Sequence, residues 1–276
     1  MQLDRKREEF EKRGIKIAAI SFDPIEVLQS FSQRTGVQLT LLSDPESRVI
    51  RAFGILNETV AKDHQFYGIP NPGDYLIDES GIVKAKFFEE RYADRYTGGQ
   101  VLVRTLGADT GGPRRETETD HLTVTSSASD EILRGGNRLS LVLDVDLEPR
   151  MHVYAPGVKG YIPIDWTMEE VDGLTNYPAA YPGSEMLHLP AIDETVPVYQ
   201  GQFRMVRDVM VGQPKEIQHL LNEQGELLVK GSFRYQACDD KICYLPQTVP
   251  VEWTFRFEEH DRTRAPEEIR RKPPGN

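Results

Sequence analysis

The hydrophobic pattern of this chain changes period part-way along. Its first third mixes short apolar runs with helical spacing. Ile15-Lys-Ile-Ala-Ala-Ile-Ser21 is a run of buried-strand type. Asp23-Pro24 then opens a helix from Ile25 to about Thr35, with Val27, Leu28 and Phe31 on one face. Gln38–Leu42 reads as a second strand, and Ser43-Asp44-Pro45-Glu46 starts a helix through Val49, Ile50 and Phe53 that Gly54 stops. Tyr75–Phe88 reads as a strand, a turn at Glu79-Ser80-Gly81 and an antiparallel return. Thr97–Leu106 closes this part as a helix, and a charged helix ended by Gly14 precedes it.

Beyond it the pattern alternates. Arg138–Leu147, Pro149–Pro156, Pro163–Met168, Phe203–Val211, Leu227–Tyr235 and Val249–Phe257 are short strands between Gly and Pro turns, the signature of a β-sandwich. Trp166 and Trp253 read as core fillers, and Pro214–Leu221 as one helical turn. Residues 107–120 are small, polar and charged without an apolar period, and read as a linker. Residues 259–276 read as a polar, charged tail.

Length and composition allow two ordinary domains in 276 residues. Hydrophobic residues make up 38% and charged residues 28%, as in soluble globular proteins. A net charge of -11 argues against a nucleic-acid partner. No apolar run approaches the roughly 20 residues of a membrane span. The N-terminus is charged, so no signal peptide is visible.

The chemistry concentrates in the chain's two cysteines, Cys238 and Cys243, within Tyr235-Gln-Ala-Cys-Asp-Asp-Lys-Ile-Cys-Tyr-Leu-Pro246. With no other thiol, they pair with each other or with a partner. A loop between neighbouring strands can bring two Cα atoms into disulfide range, which favours reversible dithiol–disulfide exchange. Three other readings stay open. A structural disulfide would be a poor staple, because so small a loop removes little unfolded-state entropy. Two unrelated buried thiols are the second. A zinc half-site is the third, and His188, His219 and His260 lack metal spacing. No metal or cofactor is called for. Tyr235 and Tyr244 are placed to shield the sulfurs. Asp239 and Asp240 disfavour a nearby thiolate and Lys241 favours it, so the pair reads as one activated by a docked protein.

Residues 1–106 resemble the redoxin family, the thioredoxin-fold peroxiredoxins of the alkyl hydroperoxide reductase and thiol-specific antioxidant type. The resemblance is carried by Ile17-Ala-Ala-Ile-Ser-Phe-Asp23, Leu41-Leu-Ser-Asp-Pro45, Ile50-Arg-Ala-Phe-Gly-Ile55 and Gly68-Ile-Pro-Asn-Pro-Gly-Asp-Tyr-Leu-Ile-Asp78. It implies an antioxidant parent and places Pro72 where such proteins usually have a cis proline facing the active site. The family's reactive cysteine, which follows the first core strand, has no counterpart here. The expectation is therefore an incomplete redoxin module, truncated at its N-terminus, without peroxidase activity of its own. A degenerate scaffold is the alternative.

Residues 121–258 resemble the N-terminal periplasmic domain of the thiol:disulfide interchange protein DsbD, through Met151-His-Val-Tyr-Ala-Pro156, Val198-Tyr-Gln-Gly201 and the cysteine motif. The cysteines stand slightly closer than in DsbD. The resemblance implies an immunoglobulin-like sandwich, an extracytoplasmic setting, and a thioredoxin-like or membrane thiol–disulfide partner. It also implies that Cys243 meets the partner's sulfur and Cys238 resolves it. It further implies a mobile cap over the disulfide, for which Ile192–Tyr199 is the equivalent stretch, with Asp193, Glu194 and Tyr199 as site neighbours. The competing reading is a non-catalytic interaction module with a structural disulfide.

Overall fold

The computed structural model describes residues 2–109, 111–189 and 193–271. They divide into two compact units: residues 2–105 with 260–271, and the described residues of Leu106–Glu259.

In the first unit, strands Ala18–Ser21 and Thr40–Ser43 run parallel, joined through the helix Ile25–Thr35. Pro24 enters that helix in an extended conformation, and Gly36 leaves it at a left-handed φ of 69° while its N–H bonds to the Ser32 carbonyl, the ending that glycine permits without steric cost. Asp44 is buried, and its two carboxylate oxygens accept the N–H groups of Arg48 and Ile50, each at 2.9 Å. That bonding fixes the start of the helix Arg48–Ala52, which begins later than its Ser-Asp-Pro opening implies. The hairpin Gly73–Ile77 with Val83–Phe88 and the helix Gly98–Leu106 follow. Pro72 immediately precedes the hairpin. No peptide bond among the described residues is cis, so Pro72 is trans, the form that X–Pro bonds favour by about 0.5–1 kcal/mol.

The second unit is all β apart from one short helical segment, Pro214–Leu220. One sheet runs in the order Leu174–Asn176, Gln202–Val211, Asn137–Leu147, Leu122–Ala128, Arg114–Glu118. A second runs Asp165–Met168, Glu226–Tyr235, Gln247–Phe257, Ile132–Leu133. The inward residues of both, among them Leu141, Leu143, Val209, Phe233, Trp166 and Trp253, form one apolar cluster, so the unit is a β-sandwich. Trp166 and Trp253 meet at 6.0 Å between ring centroids. A third sheet, in the order Glu185–Leu189, Glu194–Gln200, His152–Tyr154, Ala237–Cys238, carries the cysteine motif.

Two stretches differ from their sequence reading. Within residues 107–120, Arg114–Glu118 is a strand paired with Leu122–Ala128. An exposed edge strand needs no apolar period, and charged residues are what such edges carry. In the C-terminal stretch, residues 260–271 pack with the first unit. The Arg271 guanidinium lies 5.2 Å over the Phe22 ring and donates to the Tyr67 carbonyl, and Asp261 pairs with Arg34 at 2.6 Å.

Candidate functional site

The strand Glu226–Tyr235 leaves the second sheet and continues as Ala237–Cys238, which pairs with His152–Tyr154. The chain then turns through residues 239–242, and Cys243 returns opposite Cys238. The Tyr244 N–H donates to the Ala237 carbonyl at 2.9 Å, and the Asp239 N–H to the Ile242 carbonyl at 3.0 Å. The two cysteines are thus the facing pair between those bonds, where antiparallel strands approach most closely. Their Cα atoms are 4.0 Å apart and their sulfurs are joined in a disulfide.

Asp239 organises the turn. Its carboxylate accepts the N–H groups of Lys241 at 2.7 Å and Ile242 at 2.8 Å, and the Tyr244 hydroxyl at 3.1 Å. The backbone donors, Ile242 first, hold its carboxyl below the usual carboxylate range. Gln236 adds a bond from Nε2 to the Tyr244 carbonyl. The turn is therefore closed by hydrogen bonds as well as by the disulfide.

The two sulfurs sit in unlike surroundings. Cys238 is 1% exposed and packs with Tyr154, Val196 and Val198. Cys243 is exposed, beside Ile242 at 55% and Leu245 at 86% exposure. Tyr154 Oη lies 3.6 Å from Cys243 Sγ and 3.7 Å from Cys238 Sγ. Neither disulfide sulfur carries a proton, so the phenol is the donor. Burial, then the Glu194 charge, pushes the Tyr154 pKa up. Tyr161 stacks on Tyr154 with 4.4 Å between centroids and donates to Glu194; that bond pushes the Tyr161 pKa up to about 12. His152 faces Cys238 across the strand pair and meets Tyr154 edge-on at 5.5 Å.

Strand parity sorts the residues singled out in the sequence. Successive side chains on a strand point to opposite faces. Val153, Tyr199, Tyr235 and Ala237 belong to the main core, whereas Tyr154, Val196, Val198 and Cys238 form a separate cluster around the buried sulfur. Tyr235 accordingly lies in the core, with its hydroxyl bonded to Thr119 Oγ1 and Gln247 Oε1 at 2.8 and 2.5 Å, and does not cover the sulfurs. Tyr199 is likewise a core residue. It stacks on Phe203 at 4.7 Å and donates to the Pro182 carbonyl. Tyr244 stays with the motif: it donates to Asp239 and its ring meets His121, tilted, with 4.1 Å between centroids.

Of the cap stretch, Ile192 lies outside the described residues, and residues 194–200 form a strand. Glu194 is joined to the sulfurs through Tyr161 and Tyr154. Asp193, at φ 55°, is exposed, and its carboxylate lies 3.9 Å from His188 Nε2. Pro72 belongs to the first unit, the cysteines to the second. Tyr154, Tyr161 and His152 were not singled out as site residues. The signal for Tyr154 and His152 lay in Met151–Pro156, whose alternate residues share the face that meets Cys238. Among the described residues no group of His, Cys, Asp and Glu is arranged to hold a metal ion.

Residues 1–86 match the AhpC/TSA family, and residues 121–253 match the family described as thiol:disulfide interchange protein DsbD, N-terminal. Alkyl hydroperoxide reductase E of Mycobacterium tuberculosis (strain ATCC 25618 / H37Rv) is 31% identical over 113 residues, which cover 39% of this chain and 65% of that protein. Peroxiredoxin Bcp of Xanthomonas campestris pv. campestris is 31% identical over 77 residues, 28% of this chain and 48% of that protein. The chain spans about half to two thirds of the length of the curated relatives it matches. Among solved structures, the N-terminal periplasmic domain of ScsB from Proteus mirabilis is 15% identical, covering 53% of this chain and 51% of that one, with a TM-score of 0.34. The reduced DsbD N-terminal domain of Neisseria meningitidis is 15% identical, covering 42% and 78%, with a TM-score of 0.29.

Proposed function

We propose that this chain, which joins a redoxin-type segment to a DsbD N-terminal-type segment, is a thiol–disulfide exchange protein. Cys243 forms the mixed disulfide with a protein partner, and Cys238 closes the pair to release it. The observation that carries this reading is the asymmetry of the disulfide: Cys243 is exposed on a turn tip while Cys238 is 1% exposed. A partner sulfur reaches only the outer atom, and exchange proceeds by attack along that line. Ile242 and Leu245 give the tip an apolar rim, suited to a docked protein surface rather than a small polar thiol. The partner is a thioredoxin-like protein or a membrane thiol–disulfide protein. No helix among the described residues is long and apolar enough to cross a membrane. We read the sandwich as immunoglobulin-like on the strength of the DsbD match. In the first unit no cysteine precedes Cys238, so that unit supplies no thiol nucleophile of its own. It is read as the redoxin portion of a protein with antioxidant character.

The test is a Cys238→Ser chain mixed with an oxidised thioredoxin-like protein. A covalent heterodimer through Cys243, released by dithiothreitol, is expected. Trapping by Cys243→Ser alone reverses the roles of the two cysteines. A redox titration separates exchange from the interaction-module alternative, because structural disulfides typically titrate below about −300 mV.

A further inference from the structure

One buried ionisable group in the disulfide site has no part in the exchange as described so far. His152 is 2% exposed, and among the described residues no protein group hydrogen-bonds its Nε2. Leaving a buried polar nitrogen unpaired destabilises a fold, so one beside a redox-active pair calls for an explanation, and a catalytic role is one. We propose that His152 is the proton acceptor for the Cys238 thiol when the reduced pair closes on a mixed disulfide at Cys243. This rests on the exchange function above and deepens it.

The placement follows from register. His152 is directly opposite Cys238 in an antiparallel pair, and such partners project to the same face with Cβ atoms about 4.5–5.5 Å apart. Tyr154 stands two residues further along the same strand and therefore on the same face. Its hydroxyl is 3.7 Å from Cys238 Sγ, and its ring is 5.5 Å from the imidazole. Histidine and buried sulfur thus share one face, and Tyr154 lies beside both. The groups facing the imidazole are Cys238 with Asp239 and Asp240 from the turn, Tyr154 on its own strand, and the uncharged Gln200 opposite it on the other flanking strand. Burial lowers the imidazole pKa, and the two aspartates partly oppose this. The lowered pKa favours the neutral imidazole, the form that can accept a proton.

The need arises because Cys238 is cut off from water. A buried thiol in apolar surroundings resists ionisation, yet only the thiolate attacks. In the closing step the Cys238 S–H proton passes to Nε2. The sulfur's electron pair then forms the bond to Cys243 Sγ, the Cys243–partner S–S bond breaks, and the partner leaves as a thiolate. The two cysteines are oxidised to the disulfide and the partner sulfur is reduced. The imidazolium returns its proton to the departing thiolate. The reverse reaction uses the same proton, delivered by the imidazolium to Cys238 as it leaves.

The experiment uses the reduced full chain and 5,5′-dithiobis(2-nitrobenzoic acid). Attack by Cys243 releases one thionitrobenzoate, and closure by Cys238 releases a second, so the two steps are timed separately. In the wild-type chain the closure rate should be flat with pH between the imidazole pKa and the thiol pKa. Below the imidazole pKa, read independently by NMR, it should fall tenfold per unit. In His152→Gln the ratio of closure to first attack at pH 7 should drop on the order of 10²-fold, the lower range for a lost general base. Closure in that variant should then climb tenfold per pH unit, as it depends on thiolate alone. A wild-type closure rate that climbs tenfold per unit through pH 6–8 without a plateau overturns the proposal, and this measurement stands whether or not the variant folds. A variant ratio equal to wild type also overturns it. If the exchange reading itself is wrong, the Cys238→Ser chain traps no mixed disulfide with a thioredoxin-like protein, a distinct outcome that sinks both.

Discussion

Reducing Cys238–Cys243 tests whether the disulfide is a tool or a staple. The perturbation is a phosphine reductant on the folded chain. The cysteines are five positions apart in sequence, and for so short a loop the chain-entropy relation gives about 2 kcal/mol of stabilisation. The structure argues against a larger loss. The turn keeps the Asp239 bonds to Lys241, Ile242 and Tyr244 and the two backbone bonds that flank the cysteines. The main apolar cluster of the sandwich does not include either cysteine. For a unit of this size, about 2 kcal/mol corresponds to a melting-temperature drop of roughly 4–8 °C. The assay is urea and thermal unfolding of the chain with and without reductant. It is followed by near-UV circular dichroism, to which the buried pair Trp166 and Trp253 contributes. A reduced chain that loses its near-UV signal, or that is weakened by well over about 4 kcal/mol, would refute the reasoning. The disulfide would then be a structural element, and the exchange role would fail with it.

Three further outcomes are expected. Burial raises the Asp74 carboxyl to about 6, against the opposing charge of Arg95. Its folded pKa exceeds its unfolded one, so stability is fully present below about pH 4 and is lost as pH rises through 6. Asp74→Asn should therefore stabilise the first unit at pH 7.5 by roughly 1–3 kcal/mol and leave it unchanged near pH 4; equal effects at both pH values in urea melts would contradict this. Glu194→Gln removes the carboxylate that Tyr161 donates to, so the Tyr161 phenol should ionise below its present value of about 12, and an unmoved NMR titration would show the bond to be unimportant in solution. Peroxide consumption by this chain with a dithiol donor should not exceed that of the dithiol alone, because no cysteine lies in residues 1–237; turnover that disappears in Cys238→Ser or Cys243→Ser would place peroxidase chemistry in the sandwich.

Helix Ile25–Thr35 was legible because its signals are local: a proline entry, apolar residues three and four apart, and Gly36 at a left-handed φ. The long strands Asn137–Leu147, Gln202–Val211 and Gln247–Phe257 were legible from alternation over many residues. Leu122–Ala128 was not. It is buried almost throughout, yet four of its seven residues are Ser or Thr, so hydropathy gives no period there. The hairpin of Glu185–Leu189 with Glu194–Gln200 was missed for another reason. The stretch is broken by proline and glycine, and its burial is supplied by the third sheet, an arrangement that no local pattern encodes.

The site itself shows where a sequence reading stops. Motif spacing located the two cysteines, but which aromatic residues attend them is a question of parity and register. Tyr235 is three residues from Cys238 and Tyr154 is far away in sequence, yet the nearer tyrosine points into the core and the distant one touches both sulfurs. The reason is geometric. In the strand that ends at Cys238, Phe233, Tyr235 and Ala237 fill the sandwich core, so Cys238 must face the other way. The third sheet is thus lined on both faces: Val153, Tyr199 and Ala237 close the core, and Tyr154, Val196, Val198 and Cys238 build the site. A one-residue slip of Ala237–Cys238 would exchange the two faces. It would turn the Cys238 sulfur in among the aromatic residues of the core and put an alanine in its place beside Tyr154. The pairing of His152 with Cys238 is therefore the contact on which an accessible, reactive disulfide depends. That makes the register of one short strand pair as important to function as the cysteines themselves.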